Sequence, residues 1–162
     1  MTTKTKMPYT IAVDYDGTIL LDSWMVEHGP SHTTRLDMDL INKLKAFQAL
    51  GAEIILWTCR EGAPLTRAVE NCRKAGLVFD AVNENGAAAK LWQATIDDPN
   101  EVYFHRKIFA DIYVDDRAHG SIEYFKGLDP VSHMASLRVE DGCVVVGQSA
   151  PTPVEGATVE VP

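Results

Sequence analysis

Cysteine is scarce and unpatterned. Cys59, Cys72 and Cys143 show no metal-ligand spacing and cannot all pair with one another. Neither a zinc site nor a disulfide framework is expected, and a reducing cytoplasm is the simpler setting. Long apolar runs are missing too, none approaching the length of a membrane span. The opening M-T-T-K-T-K-M-P carries positive charge with no apolar h-region behind it, so no signal peptide is expected. Positive charge is in deficit: 15 Lys and Arg stand against 23 Asp and Glu, for a formal net charge of −8. Such a surface repels phosphate backbones and anionic membranes at long range, although a local basic site can still bind an anion. The five histidines show no ligand spacing, and there is no internal repeat or low-complexity tract.

What is present suits one soluble globular domain: 162 residues, 46% of them hydrophobic and 23% charged. The organising stretch is residues 11–19, I-A-V-D-Y-D-G-T-I. An apolar run of this kind reads as a buried strand, and open α/β sheets place their ligands beyond the carboxyl ends of such strands. Alternation puts Asp14 and Asp16 on the same side as the chain leaves the sheet, and Gly17 permits a sharp change of direction. Two like charges held that close are unfavourable unless a cation or a shared proton relieves them.

In chain order, a lead-in over residues 1–8 is followed by a first strand near 9–13 and then a polar, irregular stretch containing Asp22, Trp24, Glu27 and His28. Leu40, Ile41, Leu44, Phe47 and Leu50 repeat at helical spacing and Gly51 supplies a stop, with Asp37 or Asp39 near the positive N-terminus. A second strand, 52–57, ends in Thr58-Cys59-Arg60. Pro64 opens a second helix that ends at Gly76. A short strand at 78–82 leads into the turn signal Asn83-Glu84-Asn85-Gly86. Residues 87–104 mix a possible helix at 87–92 with the loop D-D-P-N. A strand at 109–114 ends in Asp115-Asp116-Arg117, and a short helix follows near 121–125. Strands alternating with helices imply a Rossmann-like α/β fold with a parallel sheet and right-handed crossovers. Residues 1–130 read as this core and 131–162 as a β-rich C-terminal appendage, with two strands joined at Asp141-Gly142 and a last piece at 157–161. The string S-H-M-A-S at 132–136 also looks like an expression-vector scar.

Three strands thus end in residues suited to phosphate and metal chemistry. With D-x-D-G-T at Asp14 to Thr18, Thr58 after a hydrophobic strand, Lys107, and the acidic pair Asp115-Asp116, the chain resembles the haloacid dehalogenase (HAD) superfamily of phosphohydrolases. The match spans roughly residues 9–126, and I-L-W-T-C-R, F-D-A-V-N-E-N and R-K-I-F-A-D-I-Y-V-D-D-R look most like small HAD hydrolases of bacteriophages and bacteria. The resemblance implies that Asp14 is a nucleophile forming an aspartyl-phosphate and that Asp16 is general acid, then base. It implies Mg²⁺ held by the Asp14 carboxylate, the Asp16 backbone carbonyl and one carboxylate of the acidic pair, Asp115 being favoured over Asp116. Thr58 would donate to a phosphoryl oxygen, and Lys107, or its neighbour Arg106, would balance charge. Arg60 and Arg117 are candidates for gripping substrate phosphate, while Trp24 and Trp92 read as packing residues.

Neither the gap from Thr18 to Thr58 nor that from Thr58 to Lys107 has room for a full cap domain, so the site is expected to be open. The expected partner is a phosphorylated small molecule or a nucleic-acid end, with no membrane partner and a homo-oligomer possible. The placement of Arg60 and Arg117 is similar to polynucleotide 3'-phosphatase domains, against which stands the charge of −8. A non-catalytic phosphate- or metal-binding module is the other alternative, opposed by the presence of all four signatures.

Overall fold

The computed structural model describes residues 8–22, 34–94, 96, 98, 107–140 and 143–146, with residues 138–140 and 143–146 described by backbone alone. Trp24, Arg106, the turn Asp141-Gly142, most of the D-D-P-N loop and the piece expected at 157–161 lie outside the described residues. Four short strands, β1 (Thr10–Val13), β2 (Glu53–Leu56), β3 (Ala81–Val82) and β4 (Ile112–Val114), form a wholly parallel sheet in the order β3-β2-β1-β4. Parallel neighbours need crossovers. Helices α1 (Met38–Ala49), α2 (Gly62–Lys74) and α3 (Ala87–Gln93) lie in them, and α4 (Ser121–Gly127) and α5 (Pro130–Ser136) follow β4. The protein is therefore an α/β fold of Rossmann-like type, as the alternating pattern predicts.

The chain steps outward from β1 to β3, then returns to the far side of β1 for β4. Right-handed crossovers running in opposite directions place their helices on opposite faces. The packing agrees. On one face Ile11, Val13, Ile54, Leu56 and Val114 meet Leu40, Ile41, Leu44 and Phe47 of α1 and Ala68 and Cys72 of α2, all buried. On the other, Ala12, Ile55 and Ala81 meet Ile108, with Ala110 and Tyr113 alongside. Among the described residues this second layer is thin, and a buried carboxylate ties it down. Glu53 accepts hydrogen bonds from Thr10 Oγ1 (3.2 Å) and from the Ala87 N–H that opens α3. Gly86 leaves the space the carboxylate fills, since a Cβ there would collide with it.

Local chemistry sets the element ends. Asp37 is the N-cap of α1, accepting from the Leu40 N–H at 3.0 Å, and Lys126 of α4 pairs with its other oxygen. Helix α2 begins at Gly62, two residues before Pro64, whose missing N–H costs nothing in a first turn. The edge strands are shorter than predicted for one shared reason. Asp80 bonds the Ile54 N–H through its carboxylate (2.8 Å), and Asp111 bonds the Thr10 N–H through its carboxylate (2.7 Å). A side chain replaces the backbone partner at each strand start.

The segment after residue 130 differs from the β-rich reading. Asp129 caps and Pro130 opens helix α5. The S-H-M-A-S string is part of that helix, and His133 is buried edge-on to Tyr9 (5.1 Å between centroids) and Phe47 (5.7 Å). Two antiparallel strands do follow, β5 (Leu137–Glu140) and β6 (Cys143–Val146), in a separate sheet. No helix among the described residues is long and apolar enough to cross a membrane.

His133 Nε2 has no hydrogen-bond partner, and burial holds the imidazole below its usual 6.5. The unfolded chain takes up this proton below about pH 6.5 while the folded one resists it, so His133 costs stability as pH falls through that value. Comparing melting temperatures of the wild type and His133→Phe from pH 7.5 to 5 should show the wild type losing ground on acidification. Parallel pH curves would sink this assignment.

Candidate functional site

Strand order reverses between β1 and β4, and there the loops leaving the carboxyl ends diverge to open a crevice. Asp14 leaves β1 with its N–H bonded to the Val114 carbonyl (2.9 Å), while on the other side Trp57 of the β2 exit donates to the Val13 carbonyl (2.9 Å). Asp14, Asp115 and Thr58 thus emerge from three adjacent strands. Asp14, Asp115 and Asp116 each offer a carboxylate oxygen within 4.8 Å of the other two. Burial raises the Asp14 carboxyl to about 6; the Tyr15 N–H pulls it down, while the charges of Asp115, Asp16 and Asp116 add to the rise.

Hydroxyls and one glycine hold the group together. Buried Thr18 donates from Oγ1 to Asp14 Oδ2 (3.4 Å) and accepts from the Asp116 N–H (2.9 Å), joining the β1 and β4 exits. Ser121 Oγ accepts from the Asp115 N–H (3.0 Å) and donates to the Asp115 carbonyl (2.9 Å), and Asp115 Oδ1 takes the Arg117 N–H (2.8 Å). Gly17 has φ +79°, and a Cβ on it would stand 2.6 Å from Asp116 Oδ2. Both the turn and the close approach require glycine.

Asp16 points elsewhere. Arg60 donates from Nε to its Oδ2 (2.8 Å) and from Nη2 to its Oδ1 (2.7 Å) in a bidentate pair. The guanidinium carbon lies 4.6 Å from the centre of the Tyr15 ring, and Tyr15 OH accepts from Asn71 Nδ2 (3.2 Å). Asn83, just past β3, accepts from the Thr58 N–H (2.8 Å) and donates to the Arg60 carbonyl (3.3 Å). Thr58 Oγ1 accepts from the Arg60 N–H at 3.3 Å, which leaves the hydroxyl proton to donate.

The structure therefore brings together Asp14, Asp115 and Asp116, with Thr58 at the neighbouring strand exit. Lys107 is exposed and makes no ion pair with a described carboxylate. The Arg60 side chain is 7% exposed and in this structure its Nε and Nη2 both bond Asp16. Arg117 is exposed beside the carboxylates. Trp92 is half-buried, in keeping with a packing role. Thr18, Tyr15 and Asn83 were not singled out by sequence reasoning. Thr18 lay in plain view inside D-x-D-G-T, whereas Asn83 carried only a turn signal. A cavity of about 570 Å³ between α2 and β3 is lined by Leu65, Thr66, Val69, Glu70 and Val82, none of them a residue of the site.

Three carboxylates with only oxygen to offer match the preference of Mg²⁺ or Ca²⁺ over softer metals. Because this grouping depends on Gly17, Gly17→Ala is expected to cost about 1–3 kcal/mol of stability and to weaken Mg²⁺ binding. Thermal denaturation and calorimetric titration check both; a variant indistinguishable from wild type in each would refute the role given to Gly17.

No family model and no curated protein matches the chain. Among solved structures, it is similar to the structure of a conserved protein from Bacteroides thetaiotaomicron, with 31% sequence identity and a TM-score of 0.51. The match covers 77% of this chain and 85% of that one. The chain belongs to the same family as that Bacteroides thetaiotaomicron protein.

Proposed function

We propose that the protein is a magnesium-dependent phosphomonoester hydrolase of the haloacid dehalogenase type, working through an aspartyl-phosphate on Asp14. The observation that carries the reading is the convergence of Asp14, Asp115 and Asp116 at the strand-order reversal, on the residues that the D-x-D-G-T and acidic-pair motifs mark. Asp14, Asp115 and Asp116, with the Asp16 backbone carbonyl, would hold the ion. Bound there, Mg²⁺ offsets the negative charge shared by the carboxylates and the phosphoryl oxygens.

An Asp14 oxygen attacks phosphorus as the bond to the leaving oxygen breaks, and the Asp16 carboxyl gives that oxygen its proton. Asp16, now a carboxylate, takes a proton from water. The resulting hydroxide attacks phosphorus, the bond to Asp14 breaks, and inorganic phosphate leaves with Asp14 regenerated. Thr58 donates its hydroxyl proton to a phosphoryl oxygen during both steps. Both Asp16 oxygens accept bonds from Arg60, so Asp16 must loosen one of them to act as acid. Arg60 then remains as the partner of the carboxylate left behind. The described residues place no cap over this crevice, and an open site suits a large substrate or a small one enclosed by a second subunit. The end-processing alternative draws on Arg60 and Arg117 as phosphate grips, and the pairing of Arg60 with Asp16 weighs against it.

Phosphate release from an aryl phosphate tests the reading, with Mg²⁺ or chelator, on the wild type and Asp14→Asn. Turnover should require Mg²⁺ and fall by on the order of a thousandfold or more in the variant. Sugar phosphates, nucleoside monophosphates and a 3'-phosphorylated oligonucleotide would rank substrates. A folded, Mg²⁺-binding protein that hydrolyses none of these would overturn the proposal. The same variant reports electrostatics. Asp14 is raised from 3.8 to about 6, so the folded state binds its proton more tightly, and stability falls as pH rises through that window. In chelator, Asp14→Asn should be more stable than wild type by about 1–3 kcal/mol at pH 7, with the gain gone at pH 4. An equal gain at both pH values would contradict the assigned cause.

A further inference from the structure

We infer that Asn83 is a positioning residue for this reaction: its carboxamide holds the Thr58–Arg60 turn, and through Arg60 it fixes the Asp16 carboxyl. The inference rests on the phosphatase reading of the site.

Asn83 is the one non-glycine among the described residues with positive φ, at 52°. Asparagine visits this left-handed region more readily than most residues because its short amide can bond locally. Here the conformation turns the amide toward the β2 exit. Its backbone N–H makes the last rung to the Leu56 carbonyl (2.8 Å). Beyond that rung β3 has ended, and the side chain takes over: Oδ1 receives the Thr58 N–H (2.8 Å) and Nδ2 reaches the Arg60 carbonyl (3.3 Å). The turn is thus gripped at both ends. Within it the Arg60 N–H bonds Thr58 Oγ1, which orients that hydroxyl. The guanidinium, seated over Tyr15, then grips Asp16 with two bonds of 2.7 and 2.8 Å. Five linked hydrogen bonds run from β3, at the sheet edge, to the proposed general acid beside β1. A displacement of this turn would move Asp16 while leaving Asp14, Asp115 and Asp116 on supports of their own, Thr18 and Ser121.

A general acid matters in proportion to the basicity of the leaving group. An alkoxide needs the proton, whereas 4-nitrophenolate departs without it. Misplacing Asp16 should therefore split the two substrates, which mere loosening of the fold would not do. Asn83→Gly keeps the left-handed backbone and deletes both side-chain bonds. Asn83→Asp keeps the acceptor for Thr58 and loses the donor to Arg60, and it serves if the glycine variant is too unstable. The experiment measures kcat/KM on an alkyl phosphate and on 4-nitrophenyl phosphate, with Asp16→Asn as reference. It also follows the Arg60 Nε–H signal by NMR. In Asn83→Gly the alkyl substrate should lose on the order of a hundredfold and the aryl substrate only a few fold, the Asp16→Asn pattern in weaker form. The Arg60 Nε–H should move upfield and exchange faster. Equal losses on both substrates, or an unchanged Arg60 signal, would overturn the inference. A wild type inactive on both substrates would instead defeat the phosphatase reading, and the Arg60 signal would still decide whether Asn83 holds the pair.

Discussion

Three carboxylates whose oxygens lie within 4.8 Å of one another repel, and the local structure is arranged to hold them there. Gly17 admits Asp116, Thr18 ties the first strand exit to the fourth, and Ser121 fixes the Asp115 backbone. The fourth acidic residue is treated differently. Asp16 is matched with Arg60, whose fork takes both its oxygens. Among the described residues no Lys or Arg makes an ion pair with the other three. Among the described residues the site therefore separates one internally balanced charge from a group with no such partner.

Topology explains why the group forms where it does. Laying strands outward on one side of β1 and then returning to the other makes β1 the hinge of the sheet. Loops from β1 and β4 part there, and side chains beyond Val13 and Val114 face a common opening. The neighbouring exit of β2 adds Thr58. The third exit contributes no reactive group, only the amide of Asn83, which braces the second.

Sequence made the centre of the sheet legible and its margins less so. β1, β2 and α1 have clean apolar patterns because they are buried on the thick side of the core. β3 and β4 read as longer than they are, since Asp80 and Asp111 use carboxylates where a strand would use its backbone. Helix α5 was hidden by its polar composition, although Asp129-Pro130 is a start signal in its own right. The acidic residues were visible as a motif. The pairing of Arg60 with Asp16 was not, because contacts across 44 positions of sequence leave no local trace.

The two faces of the sheet are unequal in a way that bears on motion. Ala12 and Ala81 give the second face little apolar area. Among the described residues its cover is fastened by polar bonds: Glu53 to Ala87, and Asn85 to the Lys107 carbonyl (3.1 Å) and the Phe109 N–H (2.6 Å). Regions with little buried contact open at lower free energy than the global transition. The segment from Lys107 to Ala110 depends on these bonds, so its amides are expected to exchange sooner than those of α1.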